Sequence, residues 1–156
     1  EAYDFLRIGR NLERADMTTR LIDVRSVNLM YLPTDDTFVL EQAQWRSILG
    51  ALSATTGFRR RKPPRMSQAA VLQYLVQDAA FPRSCTYCLG VVKRAFQRLP
   101  RSRALVRESN TLLEQLGAAD LKQIAPATLH DYVDELQEAL AALHGGIERT
   151  YLQPTG

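Results

Sequence analysis

Acidic and basic side chains crowd one short stretch, Gly9-Arg10-Asn11-Leu12-Glu13-Arg14-Ala15-Asp16, and continue through Thr19-Arg20-Leu21-Ile22-Asp23. Carboxylates and guanidiniums three and four residues apart are the material of acid/base chemistry, of carboxylate metal sites and of ion-pair networks alike. On a helix advancing about 100° per residue, Asp16 and Asp23 share the side of Phe5 and Leu12. Gly9, Glu13 and Arg20 lie just beside them, and Arg14 falls on the far side. A carboxylate turned towards an apolar face is costly unless paired and hydrogen-bonded. Two readings follow: an internal polar network that fixes helix packing, or a cleft in which Glu13 or Asp16 serves as acid, base or metal ligand. Gly9, without a β-carbon, leaves room for another helix or a ligand.

Three other groups carry chemistry. Cys85 and Cys88 form Cys-x-x-Cys at a helix start, where the dipole lowers a thiol pKa. A redox reading needs a preceding strand, and a zinc reading needs two more ligands at usable spacing. His130 and His144 lie too far apart in sequence for that, so packing is the expected role of the thiols. A ferritin-like centre wants Glu-x-x-His pairs on facing helices, and the sequence has none, so no metal and no cofactor is expected. The stretch Arg59-Arg60-Arg61-Lys62-Pro63-Pro64-Arg65 reads as a loop for phosphate, nucleic acid or an acidic partner. Only Phe58 adjoins it as a stacking aromatic, which makes nucleic acid the weaker choice. In Asp78 to Ser84, Pro82 presets a first helical turn, and Arg83 has Asp78 or the carboxylates of the first helix as partners.

The elements that position these residues are helical. Apolar steps at Phe5, Ile8, Leu12, Ala15, Thr19, Ile22, Ser26 and Leu29 give a first helix ending before Pro33, with Asp35 and Asp36 in the loop after it. A second helix from about Val39 turns Trp45, Ile48, Leu49 and Leu52 inward and ends near Gly57. Ser67 caps a third, with Ala70, Val71, Tyr74 and Leu75 inside. Pro82 opens a fourth, carrying Cys88, Leu89, Val92, Ala95, Phe96 and Leu99. Ser102 caps a fifth that Gly117 ends, and Thr128 caps a sixth reaching Tyr151. In that last helix Gly145-Gly146 calls for a close helix approach to offset its poor propensity. The fold class is all-α, an up-and-down bundle of about six helices forming one domain over residues 1–156.

Composition agrees. The 156 residues are 46% hydrophobic, enough for a core. The net charge of +3 is concentrated, because the five cations between Arg59 and Arg65 leave the rest slightly acidic. No run approaches the ~18 apolar residues of a membrane span, so no membrane role is expected and a cytoplasmic location is the default. The first residue, Glu1, already reads as helical, as though the chain were cut from a longer one.

The run Tyr3-x-Phe5-x-x-Ile8-Gly9-Arg10-x-Leu12-Glu13-Arg14-Ala15-Asp16-x-x-Thr19-Arg20-Leu21-Ile22-Asp23-Val24 resembles the signature of the bacterial alpha-E domain family, named for its helices and its Glu-Arg motif. Gln44-Trp45, the Arg-rich stretch, Asp78-x-x-x-Pro82-Arg83-Ser84 and Leu129-His130-Asp131-Tyr132 are similar to that family's later blocks in order and spacing. The resemblance covers most of the chain and is to the C-terminal half of a longer protein. It implies a setting beside ATP-grasp ligase-like and transglutaminase-like proteins, in forming or processing peptide bonds, with a biochemical role still open. Arg10, Glu13, Arg14 and Asp16, then Asp78, Pro82, Arg83 and Ser84, are the residues it carries over. Three expectations follow: an accessory or scaffold module docked on such a partner; an enzyme acting on a peptide or amino acid through Glu13, Asp16 and Arg20; or a nucleic-acid binder using Arg59 to Arg65. Self-association into a homo-oligomer is compatible with each.

Overall fold

The computed structural model describes residues 1–29 and 37–153, so Pro33, Asp35 and Asp36 fall outside the described residues. The architecture is all-α. Among the described residues seven α-helices run in order: α1 (Ala2–Leu29), α2 (Thr37–Ala51), α3 (Thr55–Arg60), α4 (Gln68–Leu72), α5 (Cys85–Phe96), α6 (Arg103–Ala118) and α7 (Leu129–Ile147). Single π-helical turns extend α4 over Gln73–Gln77 and α7 over Glu148–Leu152. Four helices form a closed ring in which α1 packs on α5 and α7, and α6 packs on the same two. None of the described helices is long and apolar enough to cross a membrane.

The inward faces follow the periodicity read from sequence, except that Phe5 is exposed, its ring meeting Tyr151 edge-on. Ile8, Leu12, Ala15, Thr19 and Ile22 of α1 are buried, as are Trp45, Ile48, Leu49 and Leu52 of α2. α5 is the centrepiece: Cys85, Cys88, Leu89, Val92, Ala95 and Phe96 are all enclosed, because it touches α1 on one side and α6 on the other. Gly146 of α7 is the close approach expected of the glycine pair, since a β-carbon there would press on Leu105 of α6 at 2.8 Å.

Helix ends depart from expectation, each for a local reason. The second helix does not reach Gly57. It stops at Ala51, where Ser53 takes a left-handed φ of 53° and the Ala54 N–H returns to the Leu49 carbonyl, a Schellman-type stop built on a serine. Gly57 lies inside α3, and the basic stretch begins there too, with Arg59 and Arg60 in the last helical turn. Pro82 precedes α5 rather than opening it; Ser84 is the cap, its Oγ accepting the Tyr87 N–H at 3.0 Å. Gly117 does not end α6, because Gln77 Nε2 donates to the Leu116 and Ala119 carbonyls and satisfies the terminus from outside. Ser102 and Thr128 give no side-chain cap; each donates backwards instead, to the carbonyls of Leu99 and Ala125. Ser67 does cap α4, accepting from the Ala70 N–H.

Candidate functional site

The charged residues of α1 divide among several surroundings instead of forming one internal network. Towards α5, the buried Thr18 hydroxyl has the Arg14 carbonyl at 3.0 Å and the Arg83 carbonyl at 2.8 Å, which fixes the turn before α5 against α1. Arg14 is half-buried on this side, not out in solvent, and with Arg83 it stands close enough to Cys88 to favour the thiolate. Burial outweighs both cations and pushes the Cys88 thiol up to about 11, while Cys85, fully enclosed, is raised further. These thiols are packing groups held protonated at neutral pH.

Towards α7, Asp23 Oδ1 lies 2.6 Å from His130 Nδ1, and that carboxylate raises the histidine pKa, with Asp134 and Asp131 adding to the effect. At the amino-terminal end, nearly buried Asp4 accepts from Arg98 Nε at 3.0 Å, and the guanidinium holds its carboxyl below the usual range. Neither His130 nor Arg98 was singled out as a partner from sequence, because periodicity says which face a residue occupies and not which distant residue meets it.

Between these ties, α1 and α7 part to leave a groove of about 450 Å³ lined by Gly9, Leu12, Glu13, Asp16, Leu140, Ala141 and His144. Asp16 and Arg20 pair along the rim at 2.7 Å, while Glu13 is exposed to solvent. His144 Nε2 approaches Glu148 Oε1 at 3.5 Å across one turn of α7. No atom stands within 4 Å of where a Gly9 β-carbon would be, so this glycine opens the groove rather than admitting a helix. Leu12 and Leu140 form an apolar floor, and two carboxylates with an imidazole form a polar rim. Such an arrangement has the chemistry to take a ligand with apolar side groups and cationic or N–H donors.

Arg10 is exposed on the outer surface of α1, among apolar neighbours. Tyr3, Leu6, Met17 and Val24 are 67%, 65%, 49% and 61% exposed, and with Arg10, Glu13 and Arg20 they recur at alternating steps of three and four. That spacing is the seam a helix presents to another helix.

Asp78, Arg83 and Ser84 form a turn rather than a cleft. Asp78 Oδ1 accepts the N–H groups of Ala80 and Phe81 at 2.8 and 2.9 Å, and Ser84 Oγ donates to the Asp78 carbonyl. Arg61, not Arg83, takes the Asp78 carboxylate, at 2.6 Å. Among the described residues no three His, Cys, Asp or Glu side chains gather as a metal site would require.

A family model, Alpha-E, described as "a predicted alpha-helical domain with a conserved ER motif", matches residues 1–152. The sequence holds Glu-Arg twice, at Glu13-Arg14 beside the groove and at Glu148-Arg149 one turn beyond His144. Uncharacterized proteins of Mycobacterium bovis and Mycobacterium tuberculosis are each 28% identical over 151 residues. The match takes in 93% of this chain and only 16% of the length of those relatives. No solved structure matches the chain.

Proposed function

The chain belongs to the Alpha-E family, and from that premise we propose that it is a helical docking module working with an ATP-grasp ligase-like or transglutaminase-like protein in forming or processing peptide bonds. The observation that carries this reading is the outer stripe of α1. Among the described residues, half of the large exposed apolar side chains, Tyr3, Leu6, Met17 and Val24, lie on this one helix face, interleaved with Arg10, Glu13 and Arg20. An apolar seam rimmed by charges of both signs favours a protein partner over a small solute. The partner class comes from the setting that the resemblance implies.

The test is a tagged pull-down of the native protein from its own cells, read by mass spectrometry. An ATP-grasp or transglutaminase-like protein should be recovered in near-equal amount, and the pair Leu6→Glu with Met17→Glu should release it. A protein recovered without either class of partner ends this reading.

The groove favours a second reading, an enzyme acting on a peptide or amino acid, because Glu13, Asp16 and His144 line one space above an apolar floor. Here Glu13→Gln should abolish turnover of a co-purified peptide while leaving the melting temperature within a degree or so of wild type. Unchanged turnover removes Glu13 from the chemistry.

A further inference from the structure

The basic stretch from Arg59 to Arg65 shares no residue with the docking face or the groove, and it is not the open loop its sequence suggests. Arg60 and Arg61 border a cavity of about 400 Å³ between α3 and the turn preceding α5, with Tyr74, Phe81 and Pro82 opposite. Arg61 is already held in place by Asp78, at 2.7 and 2.6 Å to the two carboxylate oxygens, and Asp78 is itself anchored by two backbone N–H groups. A guanidinium fixed in advance loses little further freedom when a ligand arrives. Asp78 is one anion among five cations. Arg59, Arg60, Lys62 and Arg65 have no ion pair among the described residues.

Tyr74 supplies a neutral donor. Its ring is immobilised, stacked on Phe81 at 4.7 Å and met edge-on by Phe58 at 5.6 Å. Its hydroxyl has no hydrogen-bond partner among the described residues, and the cavity is where it emerges. Gly57 makes that position possible, because a β-carbon there would overlap the hydroxyl oxygen. Glycine is a poor helix former, and at this position its missing β-carbon is what leaves room for the hydroxyl.

We propose that this cavity binds the phosphate group of a small molecule, with the Arg60 and Arg61 guanidiniums and the Tyr74 hydroxyl as donors. Arg60 at the end of α3, Arg61 in the turn after it and the Tyr74 phenol from another element border one cavity from different sides, which suits a tetrahedral oxyanion better than a planar carboxylate. Nucleic acid fits less well. Tyr74 and Phe81 are buried against each other and offer no free face for a base, and the cavity is compact where a strand needs a track.

The experiment is calorimetric titration of the full chain with inorganic phosphate and pyrophosphate at constant ionic strength, with succinate as the carboxylate comparison. Saturable binding of at least one phosphate probe is expected. Arg60→Gln should weaken it about tenfold, and Tyr74→Phe about threefold to tenfold with folding intact by thermal melt. Arg103→Gln, a cation of α6 away from the cavity, should change nothing. Three results would overturn the proposal: no saturation by either phosphate probe at millimolar concentration, an equal loss with Arg103→Gln, or tighter binding of succinate than of phosphate. A loss with Arg60→Gln but none with Tyr74→Phe removes the three-donor geometry and overturns it likewise.

Discussion

Asp16 and Asp78 each hold one arginine at close range, yet they are built into opposite kinds of place. Asp16 pairs with Arg20 one turn along the same helix, and both side chains stay substantially in water. Asp78 is only 11% exposed and ties together three pieces of chain: Arg61 after α3, the N–H groups of Ala80 and Phe81, and, through its carbonyl, the Ser84 hydroxyl that caps α5. The first pair closes no loop and crosses no interface. The second determines how the chain turns into its central helix. Charge spacing in sequence does not distinguish them; what each carboxylate is bonded to does. An acid committed to backbone donors is structural, whereas an acid left on an open groove remains available to a ligand.

The sharpest way to break this contrast is Asp78→Ala. It removes two backbone hydrogen bonds, each worth about 1 kcal/mol, and the Arg61 pair, and it loosens the turn that supports the Ser84 cap. Unfolding in urea should show a loss of about 2–3 kcal/mol with an unchanged slope. A loss below about 0.5 kcal/mol would place Asp78 with Asp16 as a surface acid.

The His130–Asp23 tie between α7 and α1 stands between these extremes, half-exposed but joining two helices. Its pKa in the folded protein is raised, mainly by the hydrogen bond to Asp23, above the unfolded value of about 6.5. The tie therefore stabilises fully below that value and weakens as pH rises through the folded-state pKa. Melting temperature should fall between pH 5.5 and pH 8.5 more in wild type than in Asp23→Asn. Equal falls in the two proteins would show that the imidazole contributes nothing to holding α1 on α7.

Much of this was legible from the residues, and the failures share a cause. The all-α class and most inward faces came from periodicity, because burying Ile8, Ala15 and Ile22 together leaves one register for α1, but about six helices were expected and α3 stands apart as a seventh behind the stop at Ser53. Helix ends were misplaced wherever a long-range side chain did the work assigned to a local one. Gln77 replaced the glycine stop of α6 from 39 residues away, and Ser53 took a left-handed φ that sequence rules reserve for glycine. The charged face of α1 was legible as special, and Glu13 and Asp16 do line a groove. That Arg14 belongs to the other side, beside Cys88, depended on where α5 packs, which periodicity along α1 cannot report.

The smallest expected stability effect is the most telling for the groove. Asp16→Asn keeps the shape of the side chain and removes one charge from an exposed intrahelical pair, an interaction worth at most about 0.5 kcal/mol. Urea unfolding should therefore be nearly superimposable on wild type, in contrast to Asp78→Ala. Binding should not be. If the α1–α7 groove holds a partner or a peptide through its acidic rim, removing the Asp16 charge loosens Arg20 and lowers rim charge at once. Affinity for the captured partner or peptide should then drop about tenfold, chiefly through slower association and with a weaker salt dependence. Stability loss without a change in affinity would reverse the assignment, making α1's acids part of the packing and leaving Asp16 no different in kind from Asp78.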